Sequence, residues 1–223
     1  MRQVKTLVLA PMAVFSLGCL IAATASAVVP AKVLPEGTVS TFTSTGGKAT
    51  LSTLAGTTVP CASMTAEGSI AANKTLNLIH IMLNMCSSGG VTCTGLGEAS
   101  GTILVLGEGH LVVLELAGSV LDLGILILVN PVHLACSIIL VELKGEVLCK
   151  ATPGNVKSAK FKLTCEQTAN GDPALTTYFN EKGEEVKMDA NGLLTSINHG
   201  AFEMTALVTE AEMTTSPEIE IMV

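Results

Sequence analysis

From Val141 to Lys150 the chain alternates with a period of two. Val141, Leu143, Val147 and Cys149 are apolar, whereas Glu142, Lys144, Glu146 and Lys150 are charged. The alternation returns after a polar loop, with Phe161, Leu163 and Cys165 set against Lys160, Lys162, Thr164 and Glu166. A strand sends successive side chains to opposite faces of its sheet, so this pattern describes strands with one buried face and excludes helix. The stretch from Cys136 to Cys165 is therefore expected to be the central hairpin of the fold. Phe202, Met204, Ala206 and Val208 alternate with Glu203, Thr205 and Thr209 in the same way, and Ile219, Ile221 and Val223 share one face.

The remaining segments agree with that reading. Short Thr-rich strands are expected over 38–43 and 49–54, separated by a Gly-Gly turn, and again over 57–63 and 68–71. In 75–85 the apolar residues switch parity, from Leu76 and Leu78 to Ile79, Ile81, Leu83 and Met85, which predicts a β-bulge near Leu78 and Ile79. The most hydrophobic stretch, 101–129, is interrupted by Glu108, His110, Glu115 and Asp122 and falls short of the ~20 unbroken apolar residues of a spanning helix. Its segments 103–106, 111–116 and 120–129 read as central strands, apolar on both faces, which Asn130 and Pro131 then break. Beyond Cys165 the chain is turn-rich, with strands expected over 175–179, 186–188 and 193–197. With no helical period, repeat or linker, residues 28–223 are expected to form a single all-β domain, an antiparallel sandwich or barrel.

Residues 1–27 have the form of a secretory signal peptide, with Arg2 and Lys5, an apolar run from Leu7 and small residues at 25–27. Ser16–Cys19 only weakly matches a lipoprotein cleavage box. Export makes the six cysteines that follow a disulfide framework. Of about fifteen full pairings, three have a physical argument. Cys149 and Cys165 share the inward parity of facing strands, Cys86 and Cys93 flank a short flexible turn, and Cys61 and Cys136 remain by elimination. Arg2 and Lys5 leave with the leader, so ten lysines face nineteen acidic residues, and the acidic excess lies wholly in 166–223. Such a chain lacks the basic footprint of a nucleic-acid binder. With no Trp and one Tyr it also lacks stacking platforms for bases or sugars. Missing aromatic girdles and internal cysteines argue against an outer-membrane barrel.

The block KATLSTLAGTTVPCAS from Lys48, the Cys86 and Cys93 pair, SGTI from Ser100, and the stretch from Leu134 to Val147 carry a resemblance. Together they resemble a group of exported bacterial proteins of unknown function, present in many copies in some high-GC soil bacteria. Cys149 and Cys165 depart from the pattern of that group. The resemblance implies an exported protein; it supplies no activity and carries over no functional residue.

Reactive constellations are sparse. There is no G-x-S-x-G, and His80 and His133 lie in apolar strands, where a hydrogen-bonded structural role is expected. His110 and His199 are placed in turns. The Gly-rich run 94–101 is followed by strand rather than a helix N-terminus, so it is read as a loop beside a disulfide and not as a phosphate cradle. Cysteines and histidines at this spacing do not suit zinc. Calcium is the metal best matched to an acidic exported domain, with 181–185 and 188–192 as carboxylate-bearing turns. Asn73 heads a glycosylation sequon. The expected function is thus a non-catalytic exported β domain with a structural or binding role at or outside the cell surface, with no catalytic, cofactor-binding or metal residue assigned and its partner unknown. Two alternatives are a β-barrel carrier of a hydrophobic ligand and a secreted hydrolase of unfamiliar site.

Overall fold

Strand pairing follows the alternation read above. The structure, a computed structural model, describes residues 30–53, 56–71, 75–116, 120–167, 175, 177–188 and 192–223. The segment 1–27 expected to be a signal peptide, Asn73 of the sequon and Asp189 lie outside these residues. The strands are β1 (Lys32–Leu34), β2 (Ser40–Gly46), β3 (Ala49–Thr53), β4 (Thr58–Cys61), β5 (Ser63–Ile70), β6 (Thr75–Asn84), β7 (Ser87–Ser88) and β8 (Val91–Gly95). They continue with β9 (Ile103–Leu116), β10 (Val120–Cys136), β11 (Ile139–Thr152), β12 (Lys157–Gln167), β13 (Thr177–Phe179), β14 (Glu185–Lys187), β15 (Leu194–Ile197) and β16 (Glu203–Met222). No helix occurs among the described residues.

Eight strands form an antiparallel barrel in the order β9, β6, β5, β2, β16, β12, β11, β10, and the β9–β10 ladder closes the ring. Of the two architectures expected, the barrel is the one formed. β16 is the longest strand; it pairs with β12 along one side, and with β2 and β3 in succession along the other. At one end β3, β4 and β15 extend the wall, and β8 adds to the last residues of β10.

The predicted hairpin is present but short. β11 and β12 pair only from Cys149↔Cys165 to Thr152↔Lys162. Before Cys149 the strands part, because Val141–Lys144 pair with β15 while β12 runs on along β16. The dominant hairpin is β10–β11, from Leu123↔Ala151 to Cys136↔Ile139. Asn130 and Pro131 do not break β10. The register shift between Val129 and Val132 leaves one extra residue there, a bulge that moves the inward face from Ile125 and Ile127 to Val132 and Leu134. Gly145 lies opposite Val129 at this bulge and takes φ 116°, a conformation that favours glycine. The bulge expected near Leu78 is found as a register shift of β6 between Leu76 and Ile79.

The two-faced apolar strands have a particular explanation. Inward residues of β9 and β10, such as Val113 and Leu123, join the barrel core. On the outer side Val112, Leu114, Leu126 and Leu148 are covered by Tyr178 and Met188. The turn-rich segment around β13 and β14 is therefore a strap over the barrel exterior. Along β12 and β16 the exterior carries ion pairs: Lys160 meets Glu212 at 2.8 Å, and Lys162 meets Glu210 at 3.1 Å. On that side an apolar interior and a charged exterior are the inverse of a membrane barrel's polarity. No helix among the described residues is long and apolar enough to cross a membrane.

All six described cysteines are buried and bonded. The Cys149–Cys165 bridge crosses the pair of strands that the shared parity indicated. The other two expected pairings are corrected, because Cys61 bonds Cys86 and Cys93 bonds Cys136. The turn does bring Cys86 and Cys93 together, and the Cys93 amide donates to the Cys86 carbonyl at 2.9 Å. Their side chains, however, serve different strands. Cys93 stands directly opposite Cys136 in the β8–β10 pair, and Cys86 lies 4.0 Å in Cα separation from Cys61 at the end of β4.

Candidate functional site

Inward side chains of eight strands fill such a barrel or leave room for one small ligand. Here the filling is incomplete. The sequence has five Phe and no Trp, and Phe42 and Phe161 are the two Phe buried in the barrel core. One wall is thin: Ser44 on β2, Ala49 on β3, Ala66 on β5 and Ala211 on β16 all face inward with small side chains. The opposite wall carries Ile127 and Val129 on β10 and Val147 on β11. Between them lies a cavity of about 100 Å³. It sits where the two halves of the barrel core meet, since Met64, Ile81 and Ile127 pack against both.

The lining is hydrocarbon and sulfur with one exception. Among the described residues Ser44 is the single lining residue that carries a hydroxyl, an amide or a charge; Cys61 and Cys165 are tied up in disulfides. Ser44 is 4% exposed, and its Oγ has no hydrogen-bond partner among the described residues. Ser40, two strand positions pairs away on the same buried face, differs: its Oγ donates to the Pro217 carbonyl at 3.0 Å. Thr209 Oγ1 is also buried and unpartnered, but Thr209 does not line the cavity. Other buried polar groups are satisfied. Thr195 and Thr205 share a 2.7 Å hydrogen bond, and the Gln167 amide, suitably oriented, donates to the Thr205 carbonyl and accepts from the Leu193 amide.

The histidines lie elsewhere. His80 and His133 point outward rather than into the core, because each falls on the exterior parity of its strand; His80 Nδ1 is 3.8 Å from Glu67 Oε1. His110 belongs to β9, not to a turn, and its Nδ1 lies 3.4 Å from Glu181 Oε1 in a groove beside Tyr178. His199 occupies a turn with φ 59° and shares a second groove with His133 and Glu142. Among the described residues neither groove has a Ser, Thr or Cys in its lining. On the strap side, burial pushes the Glu146 carboxyl above its ordinary 4.5. The Tyr178 phenol is raised first by burial and then by the charge of Glu146.

The Gly-rich run is a loop next to the Cys93 bridge, held by Thr94 Oγ1, which accepts from the Gly101 amide at 3.1 Å. In the 181–185 turn, Asn180 Oδ1 accepts from the amides of Lys182 and Glu184. Among the described residues no three His, Cys, Asp or Glu side chains are grouped to hold a metal. Sequence reasoning missed Ser44. The one trace of it is a serine on the buried parity of STFTS, and its lack of a partner is a tertiary property. A search of family models, of curated proteins and of solved structures found no match to this chain.

Proposed function

We propose that the chain is a non-catalytic β-barrel binding module of an exported protein, acting at or outside the cell surface, whose interior takes a small apolar ligand. The observation that carries this reading is the cavity of about 100 Å³ inside a closed barrel. At roughly 24 cal/mol per Å³ such unfilled space costs about 2.4 kcal/mol, which larger residues at Ala66 or Ala211 would recover. An engineered apolar cavity of about 150 Å³ accepts benzene, so a smaller guest suits this one. The cavity is well below the roughly 300–1,000 Å³ of drug-sized sites, so a long acyl chain would not fit whole. Three disulfides and the apolar leader support export.

Titration with isobutene, followed by the methyl resonances of Ile81, Ile127 and Val147, tests the reading. Saturable shifts at these methyls, with none at the exposed Ile138 and Leu96, are expected. Interior methyls that do not respond would remove the binding function and leave a purely structural module.

A further inference from the structure

We infer that the cavity selects a small neutral molecule with one hydrogen-bonding group, a short-chain ketone, aldehyde or alcohol, anchored by Ser44 Oγ. This deepens the binding reading above and rests on it. β2 turns Ser44 inward, and its partners across both ladders, Met213 on β16 and Ala66 on β5, line the same cavity. The hydroxyl is thus flanked by hydrocarbon and a thioether, and finds no acceptor or donor among the described residues. A buried hydroxyl without a partner is destabilising, and this wall uses alanine at Ala49, Ala66 and Ala211 where it needs only a small side chain. Serine at position 44 therefore supplies something that alanine would not.

Ligand chemistry follows from the surroundings. A hydroxyl donates to a carbonyl oxygen or accepts from another hydroxyl. Among the described residues no charge lines the cavity to balance an ion, and burying an unpaired charge is prohibitive. The cavity of about 100 Å³ is smaller than the apolar cavity of about 150 Å³ that accepts benzene, so the guest is smaller than benzene. Met64 and Met213 beside Ser44 are unbranched and adaptable, so they can re-pack around guests of slightly different shape.

Acetone and isobutene have nearly the same shape and differ in their oxygen, which makes them a matched pair of probes. Methyl-resonance titrations of the wild type and of Ser44→Ala would measure both affinities. Ser44→Ala is expected to weaken acetone about tenfold, equivalent to about 1.4 kcal/mol, while isobutene changes less than about twofold. Ser44→Thr keeps the hydroxyl and should keep the acetone-to-isobutene ratio of the wild type. Unchanged isobutene binding also shows that Ser44→Ala has folded. Equal responses of the two probes to Ser44→Ala would overturn the anchor and leave an apolar binding site standing. A wild type that binds neither probe would overturn the binding reading and the anchor together. An ordered water on Ser44 that acetone does not displace would also refute the anchor.

Discussion

Ala211→Val adds two methyl groups to the thin wall of the barrel. Ala211 is buried on β16, lines the cavity, and stands opposite Gly46, where the flexible end of the Met64 side chain lies and can shift to make room. Two methyl groups leaving water contribute about 1.6 kcal/mol at roughly 0.8 kcal/mol each. Ordering the new side chain returns a few tenths, given the ~0.5–1 kcal/mol range for aliphatic residues. A β-branched residue also suits a strand. The net expectation is a gain of about 1 kcal/mol, which for a domain of this size raises Tm by about 2–4 °C. Urea unfolding with the disulfides intact would measure it, and isobutene affinity should fall about tenfold in the same variant because its site is partly occupied. A loss of about 1 kcal/mol or more would be the signature of overpacking. It would mean that the interior is already filled, and the cavity argument would fail.

Two further outcomes are expected. Mass mapping of non-reduced peptides should show Cys61–Cys86, Cys93–Cys136 and Cys149–Cys165, and a Cys86–Cys93 peptide would contradict the strand pairing; replacing both Cys149 and Cys165 by alanine, which opens a 16-residue separation, should cost about 3 kcal/mol in urea unfolding. Glu146→Gln should gain stability relative to the wild type as pH rises above the ordinary carboxyl value of 4.5, because the raised folded-state pKa penalises only the ionised form, and the difference should close below that pH; a pH-independent difference in unfolding free energy would refute the desolvation of Glu146.

What the sequence reveals depends on whether a feature is local. Val141 to Cys149 could be read as strand because one face is buried and the other is wet, and period two follows directly. The parity switch at Leu78 and Ile79 was equally legible, since a bulge is written into the residues on either side of it. Val129 and Val132 carry the same signature, yet Pro131 drew the reading toward a break, although proline is tolerated at a bulge. Leu148 interrupts the alternation of β11 for a reason outside the strand, the cover supplied by Tyr178 and Met188. The bridges show the same limit. Cys149 and Cys165 share a ladder over a short separation, whereas Cys93 and Cys136 meet across 43 positions through a pairing that no local pattern announces. The cavity and its single hydroxyl belong to the closed barrel as a whole. Which wall is thin depends on the order of the strands around the ring.

The account stands on a cavity inside the barrel that accepts a guest. A crystal pressurised with xenon tests this most directly, because xenon enters apolar cavities without needing a hydrogen bond. One xenon site is expected between the Ser44, Ala66 and Ala211 wall and the side chains of Ile127 and Val147, with the barrel backbone unmoved. An interior without xenon, closed by the side chains of Met64 and Met213, would contradict the binding function proposed for this chain.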